Sequence, residues 1–586
     1  MDAKTREQLR ALDMAKHLQM QLNRRTLLRT AGAAAGALAV MPLLAACGGD
    51  DDDDVQPTTP PGVATATSAP AATPTAGSGA ARPGGTLTFG VEYDTPVFDP
   101  LRTISSARGS VAIYESLVIR NDAGEYQPWL ATGWEVAADG SAYTFTLRDD
   151  VKFQDDTPFN AAAVKWFFDK AMDPEGIYAF RSTLAPVDEV TEDDEFTASF
   201  RLNGPFSGIL EYLGEANYMY TGMLSPTAYE AAGDDFGVTT AVGTGPFNLE
   251  SWVPNDTMTF VRNDAYAWGP AARAENQGPA TLEKLVYRYI PEAAARVAAL
   301  ETGQFDILFA TPVQDYERLK ATGDFEFHTP PKEGGSLLYV GPNKSRATFQ
   351  DLKVRQAINY AIDKESIQRV VFSINGQVAY GNLPPHFTSA YPNAESIGYH
   401  YNPDTARQLL DEAGWTMGAG GVREKGGEKL SWSFLIITSQ EATATAQIVQ
   451  QNLKDVGIET TITQTDTWAA LQPTLLEGDY DIWLGGYGWG SPTILDFWFG
   501  RESASNVDHL QDPVVFDLLD QTGQAATIEE RDAKYQELDK YLTEQAIWSP
   551  ILFTNDLVAV NKRVVNYRFT PAGEQSFATD WGLAAE

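Results

Sequence analysis

Residues 114–174 read YESLVIRNDAGEYQPWLATGWEVAADGSAYTFTLRDDVKFQDDTPFNAAAVKWFFDKAMDP, and their turns and periods decide the fold class. Within this stretch, WEVAADGSAYTFTLRDDVKF alternates apolar and polar residues around Asp139-Gly140, a pair that favours a tight hairpin turn. NAAAVKWFFDKAMDP follows with helical spacing, Asn160 placed to cap the first turn and Pro174 placed to stop it. A hairpin running into a helix is a mixed α/β signature.

The alternation continues outward. GTLTFGVEYD (85–94) is a strand pattern, TGPFNLESWVPNDTMTFVRND (244–264) a second hairpin, and PEAAARVAALETGQFDIL (291–308) a helix followed by a strand. A second zone opens near Leu337 with the strand LLYVGPN, then a long helical region over 351–372 with Asp351 as its cap. NPDTARQLLDEAGW (402–415) is a compact helix with Asn402 at the cap, Pro403 at the first position and Gly414 past the end. Strands follow at 430–438, 459–466 and 480–488, with helices between them, over 513–522 and over 529–544, before SPILFTNDLVAVNKRVVNYRF (549–569) returns to strand. Alternating elements predict α/β lobes with mostly buried sheets, and no repeat period is present.

The chain has 586 residues, 43% hydrophobic and 21% charged, ordinary values for a globular protein with a large core. Its 43 Lys and Arg against 79 Asp and Glu leave a net charge of −36, which argues against nucleic acid, because phosphate binding needs clustered cations. The one cysteine, Cys47, excludes an intrachain disulfide, and the five histidines do not pair at metal-ligand spacing.

The N-terminus reads as an address. NRRTLLRT places Arg24 beside Arg25, and AGAAAGALAVMPLLAA (31–46) then runs sixteen residues without a charge, too short and too rich in Ala and Gly for a membrane span. The twin arginine resembles a Tat export signal, and LAAC (44–47) resembles a bacterial lipobox whose Cys is acylated and becomes the new N-terminus. An ordinary Sec signal with an incidental Cys is the alternative. The Asp run and the Pro, Thr, Ala and Gly residues after Cys47 cannot bury a core and read as a tether over 47–84.

Four blocks, in order, resemble the family-5 extracellular solute-binding proteins of ABC importers, the peptide/nickel-binding group: residues 114–174, 242–269, 352–367 and 402–415. The resemblance implies a two-lobed periplasmic-binding-protein-like α/β fold of the large type II class. It implies a first lobe over 85–330 with an inserted subdomain at about 115–235, a second lobe over 331–547, and a return to the first lobe over 548–586. The hinge is thus crossed twice, near His328–Gly335 and near Ile547–Leu552, both proline-containing. It further implies a monomeric, exported, lipid-anchored receptor that passes a solute, peptide-like by family, to membrane permease subunits, with no cofactor.

YDIWLGGYGWGSPTILDFWF (480–499) packs three Trp, two Tyr, two Phe and four Gly into one segment. In the family this strand ends at the cleft. Trp483, Gly485, Tyr487 and Trp489 share strand parity, and Gly486, Gly488 and Gly490 let a ligand approach the backbone. Tyr487, Gly488, Trp489 and Trp468, at the head of the preceding helix, are candidate ligand residues, with core packing as the alternative for each ring; Trp483 and Phe497 to Phe499 read as core. On the first lobe, Tyr93 and Asp94 are candidates, although Asp94 also suits a turn cap.

Peptide binders of the family place an Asp just after the aromatic on this loop and, in some, Arg on the adjoining strand and helix. Here the loop is GGYGWGSP, Leu484 and Leu475 stand in the matching places, and the first following acid is Asp496. A free peptide would lose charge-assisted anchors worth roughly 1.5–3 kcal/mol each. Rings without charge partners suit an oligosaccharide or other uncharged ligand at least as well, and the scarcity of His disfavours nickel. Neither G-x-S-x-G, H-E-x-x-H nor a P-loop is present, so no catalytic or metal residue is assigned, although an acid pair from distant positions could serve a glycan-acting enzyme.

Overall fold

The computed structural model describes residues 81–585 apart from 95–96, 103–108, 122–123, 175, 177, 179–180, 215–220, 502, 504 and 570–574. The expected export signal, Cys47 and nearly all of the expected tether lie outside the described residues.

Two sheets carry the two lobes. The first runs across in the order Phe325–His328, Val558–Asn561, Ile307–Leu308, Thr86–Val91, Lys284–Tyr289, Thr257–Arg262, Phe247–Val253. Its centre, Thr86–Val91, pairs in parallel with both neighbours and buries Leu87, Phe89 and Val91 completely. The second sheet runs Gly376–Val378, Ser549–Asn555, Pro331–Pro342, Ile482–Gly488, Ser431–Ile437, Glu459–Thr465, the last three mutually parallel.

The stretch that opened the reading supplies two of the four strands of a separate antiparallel sheet, Ala131–Val136 and Ala142–Leu147, which continues with Thr197–Leu202 and Val187–Asp194. Helix Ala161–Met172 covers it, with Phe168 edge-on to Phe200 at 4.8 Å. The cap is as expected: the Asn160 side chain accepts from Ala163 N at 3.1 Å. Glu115, fully buried, fastens this region to the 242–269 segment by accepting hydrogen bonds from Tyr266 Oη (2.6 Å), Thr244 Oγ1 and Trp268 Nε1 (both 2.8 Å). Burial outweighs those donors and pushes its carboxyl up to about 8. Asp508 holds the matching place in the second lobe, accepting from the indoles of Trp483 and Trp548.

The return to the first lobe falls later than the expected 547–552. Strand Ser549–Asn555 still pairs with Pro331–Pro342 and Gly376–Val378 in the second sheet, and the chain re-enters the first sheet at Val558. Pro550 does not end the strand because the register against Pro331–Pro342 shifts there, and a bulge removes the need for its missing N–H. The two crossings lie side by side: Asp556 N donates to Pro330 O at 2.9 Å.

Candidate functional site

In α/β proteins, ligands sit beyond the carboxyl ends of parallel strands. In the first lobe, Thr86–Val91 leads directly into Tyr93 and Asp94. In the second, Ile482–Gly488 leads into Trp489, and Glu459–Thr465 leads into Trp468 at the head of helix Trp468–Glu477.

Trp489 touches both lobes. Its partly buried ring packs against the main core of the first lobe and against the core of the second. Its position is fixed at three points. The backbone N–H donates to Gly335 O at 2.9 Å, just past the first crossing, and the indole donates to Thr493 Oγ1 at 3.2 Å. Phe497 stacks on the ring with centroids 5.7 Å apart and planes inclined by 25°.

Phe497 therefore departs from the expectation that it packs inside. Helix Ile494–Phe499 turns Ile494, Leu495, Trp498 and Phe499 inward and leaves Phe497 on its outer face, 43% exposed. Trp468, 36% exposed, joins the same group of rings through Trp498, edge-on at 6.1 Å. Trp489, Phe497, Trp498 and Trp468 thus form a continuous aromatic run with two exposed members.

Tyr487 does not join it. It shares strand parity with Trp483 and is buried with it in the second-lobe core, its hydroxyl donating to Asn382 O. The glycine between them serves packing: a Cβ on Gly485 would meet the Tyr339 ring at 2.6 Å and Trp483 at 2.8 Å. Gly488 ends the strand opposite Ser336. Asp94 accepts from Asn255 N at 2.6 Å and from the Trp252 indole at 3.3 Å, so its carboxylate anchors the 247–262 hairpin. Tyr93 is 42% exposed. Leu475 and Leu484 are buried in the second lobe, so these positions do not face a cleft in this chain, and the missing arginines say nothing about the ligand's charge.

A polar contact between the lobes escaped the sequence. Arg531 donates to Glu211 at 2.9 Å across 320 residues, both side chains at most 6% exposed. Ser207 N donates to Ala525 O at 3.3 Å beside it, and Ile528 packs on the first-lobe core. Tyr212 lies beside Thr493, which brings this contact next to the Trp489 loop. Burial pushes the nearby Asp496 carboxyl upward, against the Tyr535 hydroxyl donating to it and the Arg531 charge. No local pattern pairs Glu211 with Arg531. Among the described residues, no group of three or more His, Cys, Asp or Glu is placed to hold a metal ion.

A family model described as bacterial extracellular solute-binding proteins, family 5 middle, matches residues 125–506. The chain is 27% identical over 472 residues to the nickel-binding periplasmic protein of Escherichia coli, covering 78% of this chain and 87% of that protein. It is 27% identical over 495 residues to the glutathione-binding protein GsiB of Shigella flexneri, covering 82% and 90%. The crystal structure of NikA from Brucella suis in complex with Fe(III)-EDTA superposes with a TM-score of 0.73 at 25% identity, covering 84% of this chain and 99% of that one.

Proposed function

This chain belongs to family 5 of the bacterial extracellular solute-binding proteins, and on that premise we propose that it captures a peptide-like solute between its lobes for an ABC importer. Trp489 is the observation that carries the reading. A ring packed on both cores changes its surroundings whenever the lobes part, so a ligand laid against it gains contact only in the closed form. The paired crossings at Pro330 and Asp556 supply the hinge. Tyr93, Gly488, Trp489, Phe497 and Trp468 are the ligand-facing residues. Stacking on such rings is worth about 0.5–1.5 kcal/mol beyond the area buried.

Relatives named for nickel and for glutathione show that cargo varies within the family. Peptide is favoured because glutathione is itself a peptide and because exposed rings suit apolar side chains. The protein acts as a monomeric carrier and performs no chemistry on its cargo. We assign it an exported location with Cys47 as a lipidated N-terminus, reached by the twin-arginine route. Cys47→Ser should release the protein from the membrane fraction, and a variant that still pellets with membranes contradicts the anchor.

Native mass spectrometry of protein purified from its own host identifies retained ligand. Calorimetry against free peptides, N-acetylated peptides and neutral oligosaccharides then tests the class. Peptide binding with quenching of Trp fluorescence is the expected result. Capture of oligosaccharides with all peptides rejected sinks the peptide assignment, and release of a cleaved glycan would make the protein an enzyme.

A further inference from the structure

The contact between the lobes carries more acid than base. Glu211, Asp496, Asp532 and Glu529 gather around the guanidinium groups of Arg531 and Arg120. Glu211 reaches Arg531 from the first-lobe helix Ile209–Tyr212, and Asp532 lies 4.0 Å from the same guanidinium. Gly208 leaves room for that approach, since a Cβ there would lie 3.0 Å from Arg531 Nη1. Burial opposes the Arg531 charge, but Glu211, Tyr535, Tyr126 and Asp532 more than offset it and hold the group ionised.

One guanidinium pairs fully with one carboxylate, and Glu211 is the one in direct contact. Asp532 is pushed upward by burial, against the Thr388 hydroxyl, Arg531 and Arg120, with Glu529 adding to the rise. Asp496, partly exposed on helix Ile494–Phe499, accepts from the neutral Tyr535 hydroxyl. Across the boundary it faces Glu211 and Tyr212 of the first lobe. Helix Pro513–Gly523 also packs on helix Ile494–Phe499, but its acids Asp517 and Asp520 pair with Arg501 at the surface. Burial, helped by Glu211, therefore pushes the Asp496 carboxyl up to about 7, against Tyr535 and Arg531.

Given lobes that part at the hinge, as proposed for solute capture, opening withdraws Glu211 and Tyr212 and admits water to Asp496. Its carboxyl then falls back towards the ordinary value of 3.8. We propose that Asp496 takes up a proton when the lobes close and gives it back when they part, so that acid favours the closed, solute-holding form. Between 3.8 and about 7 the closed form holds a proton that the open form has lost. The contribution to closure is complete below 3.8 and is lost as pH rises through about 7, by up to about tenfold in the closing equilibrium per pH unit.

Solution scattering from the ligand-free chain without its export signal, from about pH 5.5 to about pH 8.5, tests this with protons as the probe. The radius of gyration should rise with pH. Asp496→Asn, a neutral stand-in for the protonated acid, should keep the smaller radius throughout. Tyr535 and Asp496 belong to the same lobe, so Tyr535→Phe removes a donor from the carboxylate in both forms and should shift the curve to higher pH. Mere loosening of the contact would shift it lower, so Tyr535→Phe decides alone should Asp496→Asn fail to fold. A radius that rises equally in Asp496→Asn overturns the assignment to Asp496. If Arg531→Met enlarges the radius while pH leaves the unsubstituted chain unchanged, the lobes part without a linked proton, and the proposal falls while the hinge stands. If neither changes the radius, both fall.

Discussion

Trp483 and Trp489 share strand parity, yet their situations are opposite. Trp483 is 2% exposed, donates to Asp508 at 2.8 Å and packs edge-on to Tyr339 at 5.5 Å. Trp489 keeps part of its ring exposed and lies against both lobes. Parity sorts side chains only where the ladder holds, and the strand ends at Gly488. One residue further on, the Gly335 carbonyl and Thr493 direct the ring instead. Rings of one kind thus lie in the core before Gly488 and at the lobe boundary after it.

The largest effect should come from the strand side. Trp483→Ala should cost about 3–5 kcal/mol in chemical denaturation, because it empties a core site and strips Asp508 of a donor. A loss below about 1 kcal/mol would erase the contrast between the two tryptophans. Arg531→Met should follow at about 3 kcal/mol or less, since it leaves Glu211 in a closed interface without its partner, relieved if the lobes part and water enters. Solution scattering separates the cases: a larger radius of gyration marks the pair as a latch on closure, and an unchanged one marks it as internal to a rigid body.

A third effect sharpens the comparison from the first lobe. Glu115 titrates at about 8 when folded and near 4.5 when unfolded. Between those values the folded protein holds a proton that the unfolded chain has lost, so its contribution to stability is present below about pH 4.5 and falls as pH rises towards 8. Glu115→Gln should flatten that decline, which amounts to at most about 1.4 kcal/mol per pH unit. A pH profile identical to that of the unsubstituted protein would place the Glu115 proton outside the folding equilibrium.

Local signals were legible in the sequence. Asn160, Asp351 and Asn402 each cap the helix they were expected to cap, since a cap needs only a side-chain oxygen and an N–H a few residues on. The helical region after Asp351 nevertheless breaks at Ile362, and Asp363 caps a second piece, Lys364–Ile367. Non-local geometry was less legible. Pro550 suggested a crossing, but a bulge in its own strand, beside Ile551, absorbs it. Glu211 and Arg531 meet only because the inserted subdomain docks on the second lobe, and nothing within either segment encodes the other. Phe497 was misplaced because an aromatic residue inside an apolar run looks like core until the helix phase is known.

Trp489→Ala separates the two roles most directly. Calorimetry with the retained or screened solute should show affinity reduced at least about tenfold, 1.4 kcal/mol, while the melting temperature without ligand stays within about 2 °C. A variant that melts far lower yet binds normally would make Trp489 a core residue like Trp483 and leave the solute site elsewhere.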